Sequence, residues 1–306
     1  MKIKSTLYLI ALSLSLLSCN TYRTFYKETN NINSATYKKD SRLNLQNTNL
    51  SEVLKKLPLF TNINALNLSG FKTKAVDTIL KTIKNPLKIK VLILDSCKIK
   101  NIPKSINRLS HLKQLSLNNN PNIVLENLFN VLDKNTIEFL NLQNNNIKYL
   151  PKNINQLQTL VDLNLSGNTI NNSFNHLKKL PHLKSLWLTN NNLDTLPDSL
   201  FNLTKLRCLY LEQNNLTSIP NSIVNMKKLW IIHAGHNKFK TLPMAFAKMP
   251  ALLLLHVNNC EIESIPSCYS TKQCKIAGLI LDNNKLTERK KTNWENEFNS
   301  FFLLSL

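Results

Sequence analysis

A short leucine unit returns along this chain at nearly constant intervals, and that interval constrains the fold more than any other feature. The stretch 183–223, LKSLWLTNNNLDTLPDSLFNLTKLRCLYLEQNNLTSIPNSI, states one pattern twice. Leu183 and Leu206, Leu186 and Leu209, Asn191 and Asn214, and Pro197 and Pro220 each lie 23 residues apart. Anchored on the first leucine of each L-x-L unit, the pattern falls at Leu43, Leu66, Leu92, Leu115, Leu140, Leu163, Leu186, Leu209, Ile232, Leu255 and Leu279. The spacings are 23, 26, 23 and 25, then 23 five times in succession, then 24. A period of that size marks a stacked array, in which one turn cannot bury its aliphatic face alone and must lay it against the next.

Within a turn, the two leucines of L-x-L face one side of a short strand and the residue between them faces the other. With only 4 Gly and 7% aromatic residues, the core must be mostly aliphatic. The turns resemble the leucine-rich repeat family in its 23-residue form, LxxLxLxxNxLxxLPxxIxxLxx, over residues 40–286. That resemblance implies an α/β solenoid: a curved array of about eleven turns, with a parallel β-sheet on the concave face and 3₁₀, α or irregular segments on the convex face. The N slot holds Asn120, Asn145, Asn168, Asn191, Asn214, Asn237 and Asn284. A side-chain amide there can pair the inward backbone groups of a sharp turn. Thr48, Phe71, Cys97 and Cys260 depart from it. Pro recurs at a fixed phase, as in Leu196-Pro197 and Ile219-Pro220, which is repeat punctuation.

The two longer turns contain TKAVDTILKTIK, with Val76, Ile79, Leu80 and Ile83 at helical spacing, and VLENLFNVLD, with Leu125, Leu128, Phe129 and Leu132. Both are expected to carry a helix, and the 23-residue turns a tighter 3₁₀ or irregular segment. Residues 287–306 place Trp294, Phe298, Phe301 and Phe302 on one helical face. They are expected to form a helical cap over the last apolar edge.

The N-terminus reads as an address. Lys2 and Lys4 precede an apolar run from Leu7 to Leu17, too short to span a bilayer and suited to a signal peptide. Leu16-Leu17-Ser18-Cys19 resembles the lipobox of bacterial lipoproteins, which implies removal of residues 1–18 and acylation of Cys19. Asn20 stands where that family uses Asp to hold lipoproteins at the inner membrane, so an outer-membrane lipoprotein of the cell envelope is expected. Residues 19–39 are polar and without apolar period, and read as a flexible tether.

The formal net charge is +21, yet the longest basic run is Arg289-Lys290-Lys291. A nucleic-acid binder should gather its charge into a stripe, so no nucleic-acid partner is expected. A weak attraction to anionic surfaces such as lipid headgroups is expected instead. No P-loop, G-x-S-x-G or dinucleotide fingerprint occurs, and His233 and His236 in HAGHN lack zinc-protease spacing. The chain is read as a non-enzyme and a monomer, without cofactor or metal. Cys268 and Cys274 flank YSTKQ, where an oxidising compartment permits a disulfide.

The free slot between the strand leucines reads Asn44, Asn67, Ile93, Ser116, Asn141, Asn164, Trp187, Tyr210, His233, His256, Ile280. Small polar residues give way to four large rings. Expected on the concave face and open to solvent, Trp187, Tyr210, His233 and His256, with Glu212 and Ile231 beside them, form the candidate partner-binding site, because Trp and Tyr anchor binding hot spots. The favoured partner is a protein. A glycan that stacks on the rings, a divalent metal on His233, His256 and Glu212, or rings that only stiffen the sheet by mutual stacking are the other readings.

Overall fold

Every turn is built around one three-residue strand whose central leucine is inaccessible to solvent. The computed structural model describes residues 30–32, 42–132, 136–170, 174–297 and 303–305. The chain divides into two units, one up to Leu140 and one from Asn141. In the first unit the strands are β1 (Asn30–Asn31), β2 (Arg42–Asn44), β3 (Ala65–Asn67), β4 (Val91–Ile93) and β5 (Gln114–Ser116), and the division falls within β6 (Phe139–Asn141). Strands β1 to β5 pair in parallel in chain order, and Leu43, Leu66, Leu92 and Leu115 stand in one register. In the second unit β7 (Asp162–Asn164), β8 (Ser185–Trp187), β9 (Cys208–Tyr210), β10 (Ile231–His233), β11 (Leu254–His256), β12 (Gly278–Ile280) and β13 (Leu303–Ser305) follow the same rule. There Leu163, Leu186, Leu209, Ile232, Leu255, Leu279 and Leu304 are aligned. All eleven anchors from Leu43 to Leu279 are fully buried.

The turn after each strand demands a left-handed residue four positions past the anchor. Asn47, Gly70, Ser96, Asn119, Asn144, Gly167, Asn190, Gln213, His236, Asn259 and Asn283 all have positive φ there. Asn tolerates this conformation better than most side chains, so part of the asparagine content is a backbone requirement. At Gly167 a Cβ would lie 1.8 Å from Asn144 Oδ1, so glycine is also needed for space.

The asparagine slot works as a bracket between turns. Asn214 Nδ2 donates to the carbonyls of Leu188, Leu211 and Glu212, while its Oδ1 accepts from the amides of Asn191 and Leu193. Asn120, Asn168 and Asn237 donate in the same way to carbonyls of their own and the preceding turn. Asn191 and Asn284 also reach back to the preceding turn. The amide of Asn145 is held by Asn168 Oδ1. Where Cys replaces Asn, the thiol supplies some of the same bonds. Cys97 Sγ donates to Leu68 O at 3.2 Å and Cys260 Sγ to Ala234 O at 3.6 Å.

On the opposite side of each turn, proline sets the start of the segment. Pro103, Pro151, Pro197, Pro220, Pro243 and Pro266 each stand immediately before a 3₁₀ segment or a single helical turn, with φ between −59° and −72°. The ring fixes that φ before folding and so lowers the entropy lost on ordering. The two longer turns carry the helices α2 (Thr73–Thr82) and α3 (Leu125–Leu132), with Val76, Ile79, Leu80, Leu128, Phe129 and Leu132 buried. A helix was not expected in the first 23-residue turn, which nevertheless holds α1 (Leu50–Lys56). Asn49 Oδ1 caps it by accepting from Ser51 N, and Glu52 pairs with Lys56 one turn on.

Both ends differ from what their sequences suggest. The segment read as tether includes β1, which pairs with β2. The segment read as a helical cap contains α5 (Glu288–Glu297) and then β13, which extends the sheet beyond β12. An exposed last strand would leave a row of unpaired amides and carbonyls, and a further strand satisfies them directly. Here α4 is the short Met244–Ala247 segment. Phe298, Phe301 and Phe302, like Cys19 and the signal-like segment, lie outside the described residues. Among the described residues no helix is long and apolar enough to cross a membrane.

Candidate functional site

The ring run of the second unit is a stack, not a row of separately exposed side chains. Trp187 and Tyr210 lie parallel with centroids 3.6 Å apart and 7° between planes. Tyr210 and His233 follow at 4.9 Å and 25°, and His233 and His256 at 4.2 Å and 42°. Parallel strands set this spacing, because equivalent slots on neighbours lie about 4.8 Å apart, near the stacking distance of rings.

Mutual stacking corrects the expectation that the slot is open to water. Tyr210 is only 3% exposed, and Ile231 in the adjoining row is 6% exposed. Both are covered by their neighbours and are removed from the accessible part of the site. Trp187, His233 and His256 remain half-buried. Glu212 is half-buried beside them: its Oε1 lies 3.3 Å from His233 Nδ1, and its Oε2 accepts from Thr189 Oγ1 at 2.9 Å. Of the six residues expected to form the site, Trp187, His233, His256 and Glu212 therefore remain accessible.

The stack begins at a carboxylate that the sequence pattern did not single out. Asp162, in the row one residue before the anchor, is buried, and Trp187 Nε1 donates to its Oδ2 at 3.3 Å. Its Oδ1 has no well-formed hydrogen bond. Burial pushes its pKa up to about 7, against the pull of the Trp187 N–H and the neighbouring Ser185 hydroxyl. At the other end, burial lowers His256 to about 4, assisted by His233 and opposed by Glu212 and Asp282. The stack thus holds an acid and a base that both favour the neutral form at mildly acidic pH. An acid placed just ahead of a ring run was the available signal for Asp162.

Among the described residues no group of three or more His, Cys, Asp or Glu side chains is arranged to hold a metal ion. His236, close in sequence, belongs to a left-handed turn and is exposed. Cys268 and Cys274 are free thiols, each partly exposed. Burial raises both, and for Cys274 the proximity of Cys268 raises it further.

The family model described as a leucine-rich repeat region matches residues 168–270, the stretch that carries the ring stack. The repeated strand, the asparagine bracket and the left-handed turn decide the architecture. The chain folds as a leucine-rich repeat solenoid. Solved structures agree on that fold. An internalin from Listeria monocytogenes is 19% identical, with a TM-score of 0.54, covering 81% of this chain and 83% of its own. The TLR13–ssRNA13 complex is 20% identical, with a TM-score of 0.63 over 85% of this chain and only 37% of its own. No curated protein matches the sequence closely enough to count as a relative. At these identities the likeness shows the fold alone, and a fold does not by itself fix a function.

Proposed function

We propose that this solenoid is a non-enzymatic protein-binding module of the bacterial cell envelope, acylated at Cys19 and directed to the outer membrane. Its recognition surface is the open sheet face of the second unit, around Trp187, His233, His256 and Glu212. The observation that carries the reading is the preassembled stack from Trp187 to His256, flanked by Glu212. Rings locked in place lose little entropy when a partner docks on their edges, and half-buried Trp beside polar groups is the usual make-up of a hot spot. The glycan alternative is less well supported. A sugar stacks on an open ring face, and the faces of Tyr210 and His233 are taken up by their neighbours.

Two experiments test the proposal. In the full chain carrying Cys19→Ala, Trp187→Gln with Glu212→Gln leaves Tyr210 in place and should abolish retention of a protein from envelope extract. Unchanged retention by a folded variant would move the site elsewhere, and capture by a polysaccharide resin would favour the glycan. A fatty-acid probe should label the wild type and not Cys19→Ala, and equal labelling would remove the anchor.

A further inference from the structure

The first unit carries an apolar and basic edge that its own packing does not use. Leu59 is 51% exposed and Leu87 is 53% exposed, whereas the strand leucines of these turns are fully buried. They stand in consecutive turns that three hydrogen bonds hold side by side: Asn85 Nδ2 to Thr61 O at 2.9 Å, Lys88 Nζ to Asn62 Oδ1 at 3.3 Å, and Lys90 N to Asn64 O at 2.7 Å. Leu59 closes the 3₁₀ segment Leu57–Leu59, and Leu87 lies in the segment Pro86–Lys88, so short rigid loops present both side chains.

Lysines flank the pair along the chain. Lys55, Lys84, Lys88 and Lys90 are all exposed, and none forms an ion pair among the described residues. Four described acids of this unit are engaged with other partners. Glu52 pairs with Lys56, Asp77 with Lys81 and Glu138 with Lys113, while Asp95 accepts from Ser116 and Asn118.

We infer that this edge docks on an anionic lipid surface, Leu59 and Leu87 entering the headgroup boundary while Lys55, Lys84, Lys88 and Lys90 meet lipid phosphates. Lysine stems lie along apolar surface and keep their charge at the phosphate level, which suits exposed lysines within four residues of exposed leucines. A single-stranded nucleic acid would satisfy the lysines but not the leucines, and it relies on exposed aromatic platforms. Among the described residues of the first unit, Phe60 and Phe129 are buried and Phe71 and Phe139 half-buried. The inference does not depend on acylation, because the edge itself supplies charge and apolar area.

Vesicle flotation of the full chain carrying Cys19→Ala tests it. Binding is expected to phosphatidylcholine vesicles containing about a quarter phosphatidylglycerol, and to weaken when salt rises from about 0.1 to about 0.5 M. Lys84→Gln with Lys90→Gln should reduce partitioning about thirty-fold, at roughly 1 kcal/mol for each lysine near the surface. Leu59→Ser with Leu87→Ser should reduce it about ten-fold. Both variants alter exposed side chains and should melt with the wild type. Lys74→Gln with Lys100→Gln, past the other end of the strands, should bind as the parent does. Equal binding to vesicles of phosphatidylcholine alone would overturn the inference, as would an equal loss in the Lys74 and Lys100 variant. So would a leucine variant that floats like the wild type while single-stranded RNA displaces both, since that would make the edge a polyanion site.

Discussion

Asp95 in the first unit and Asp162 in the second lie on the same kind of sheet face, and burial raises both carboxyls. They differ in their donors. Asp95 accepts from Ser116 Oγ at 2.6 Å and from Asn118 N at 2.9 Å. Asp162 has the Trp187 indole at 3.3 Å on one oxygen and no well-formed bond on the other. The open faces follow suit. The first unit runs on small polar ladders, such as Asn67 Nδ2 to Asn44 Oδ1, whereas the second stacks rings. A buried charge is tolerated where donors reach it and becomes a titrating group where they do not. The ring side thus has a pH response built into its packing.

The largest expected effect sharpens the comparison at its structural base. Asn214→Ala leaves the Leu188 carbonyl and the Asn191 and Leu193 amides without their partner, at about 1–3 kcal/mol for each unsatisfied group that water cannot reach, while Leu211 O keeps Asn237 Nδ2 and Glu212 O keeps the Asn190 amide. Thermal unfolding should fall by more than for Cys97→Ala, whose thiol makes fewer and weaker bonds. Equal losses would show that the slot is filled for volume alone. Gly167→Ala comes next. It places a Cβ against Asn144 in a left-handed turn and should cost about 1–3 kcal/mol, whereas Gly70→Ala meets nothing within 4 Å and should cost less.

Trp187→Ala uncovers both Tyr210 and Asp162 and should cost about 1–3 kcal/mol, mainly from lost stacking and area. Asn67→Ala in the first unit should cost less, and a Trp187→Ala melt that overlays the wild type would make the stack incidental. The smallest effects are in pH dependence. Asp162 binds its proton more tightly folded than unfolded, so its contribution is complete below about pH 4 and is lost as pH rises through about 7. His256 has the opposite sign: its contribution is present above about 6.5 and is lost as pH falls toward 4. Asp162→Asn should therefore raise the melting temperature at pH 8 relative to pH 5, and His256→Gln should reduce acid sensitivity between pH 4 and 6. Asp95→Asn should leave the pH profile closer to the wild type than Asp162→Asn does, and identical profiles would erase the distinction between the two carboxylates.

Eleven strand anchors, the asparagine bracket and the helices of the two long turns could be read from the sequence, because each is a local pattern repeated at fixed phase. Leu66 and Leu209 are core for the same reason of register, and no knowledge of neighbouring turns is needed to see it. Asn214 is identifiable because a sharp turn must pair its inward backbone groups wherever it occurs. The strands at the two ends were not read from the sequence: Asn30–Asn31 follows no repeat, whereas Leu304-Ser305-Leu306 carries the L-x-L unit 25 residues past Leu279 and was masked by the aromatic spacing before it, and both are strands by pairing with an edge. Nor was the fate of the ring slot. Alternation puts Tyr210 on the open face, but only the stacking of Trp187 and His233 on either side decides that it is buried. Residue order fixes which face a side chain leaves by, and the spacing between adjacent strands decides whether water still reaches it.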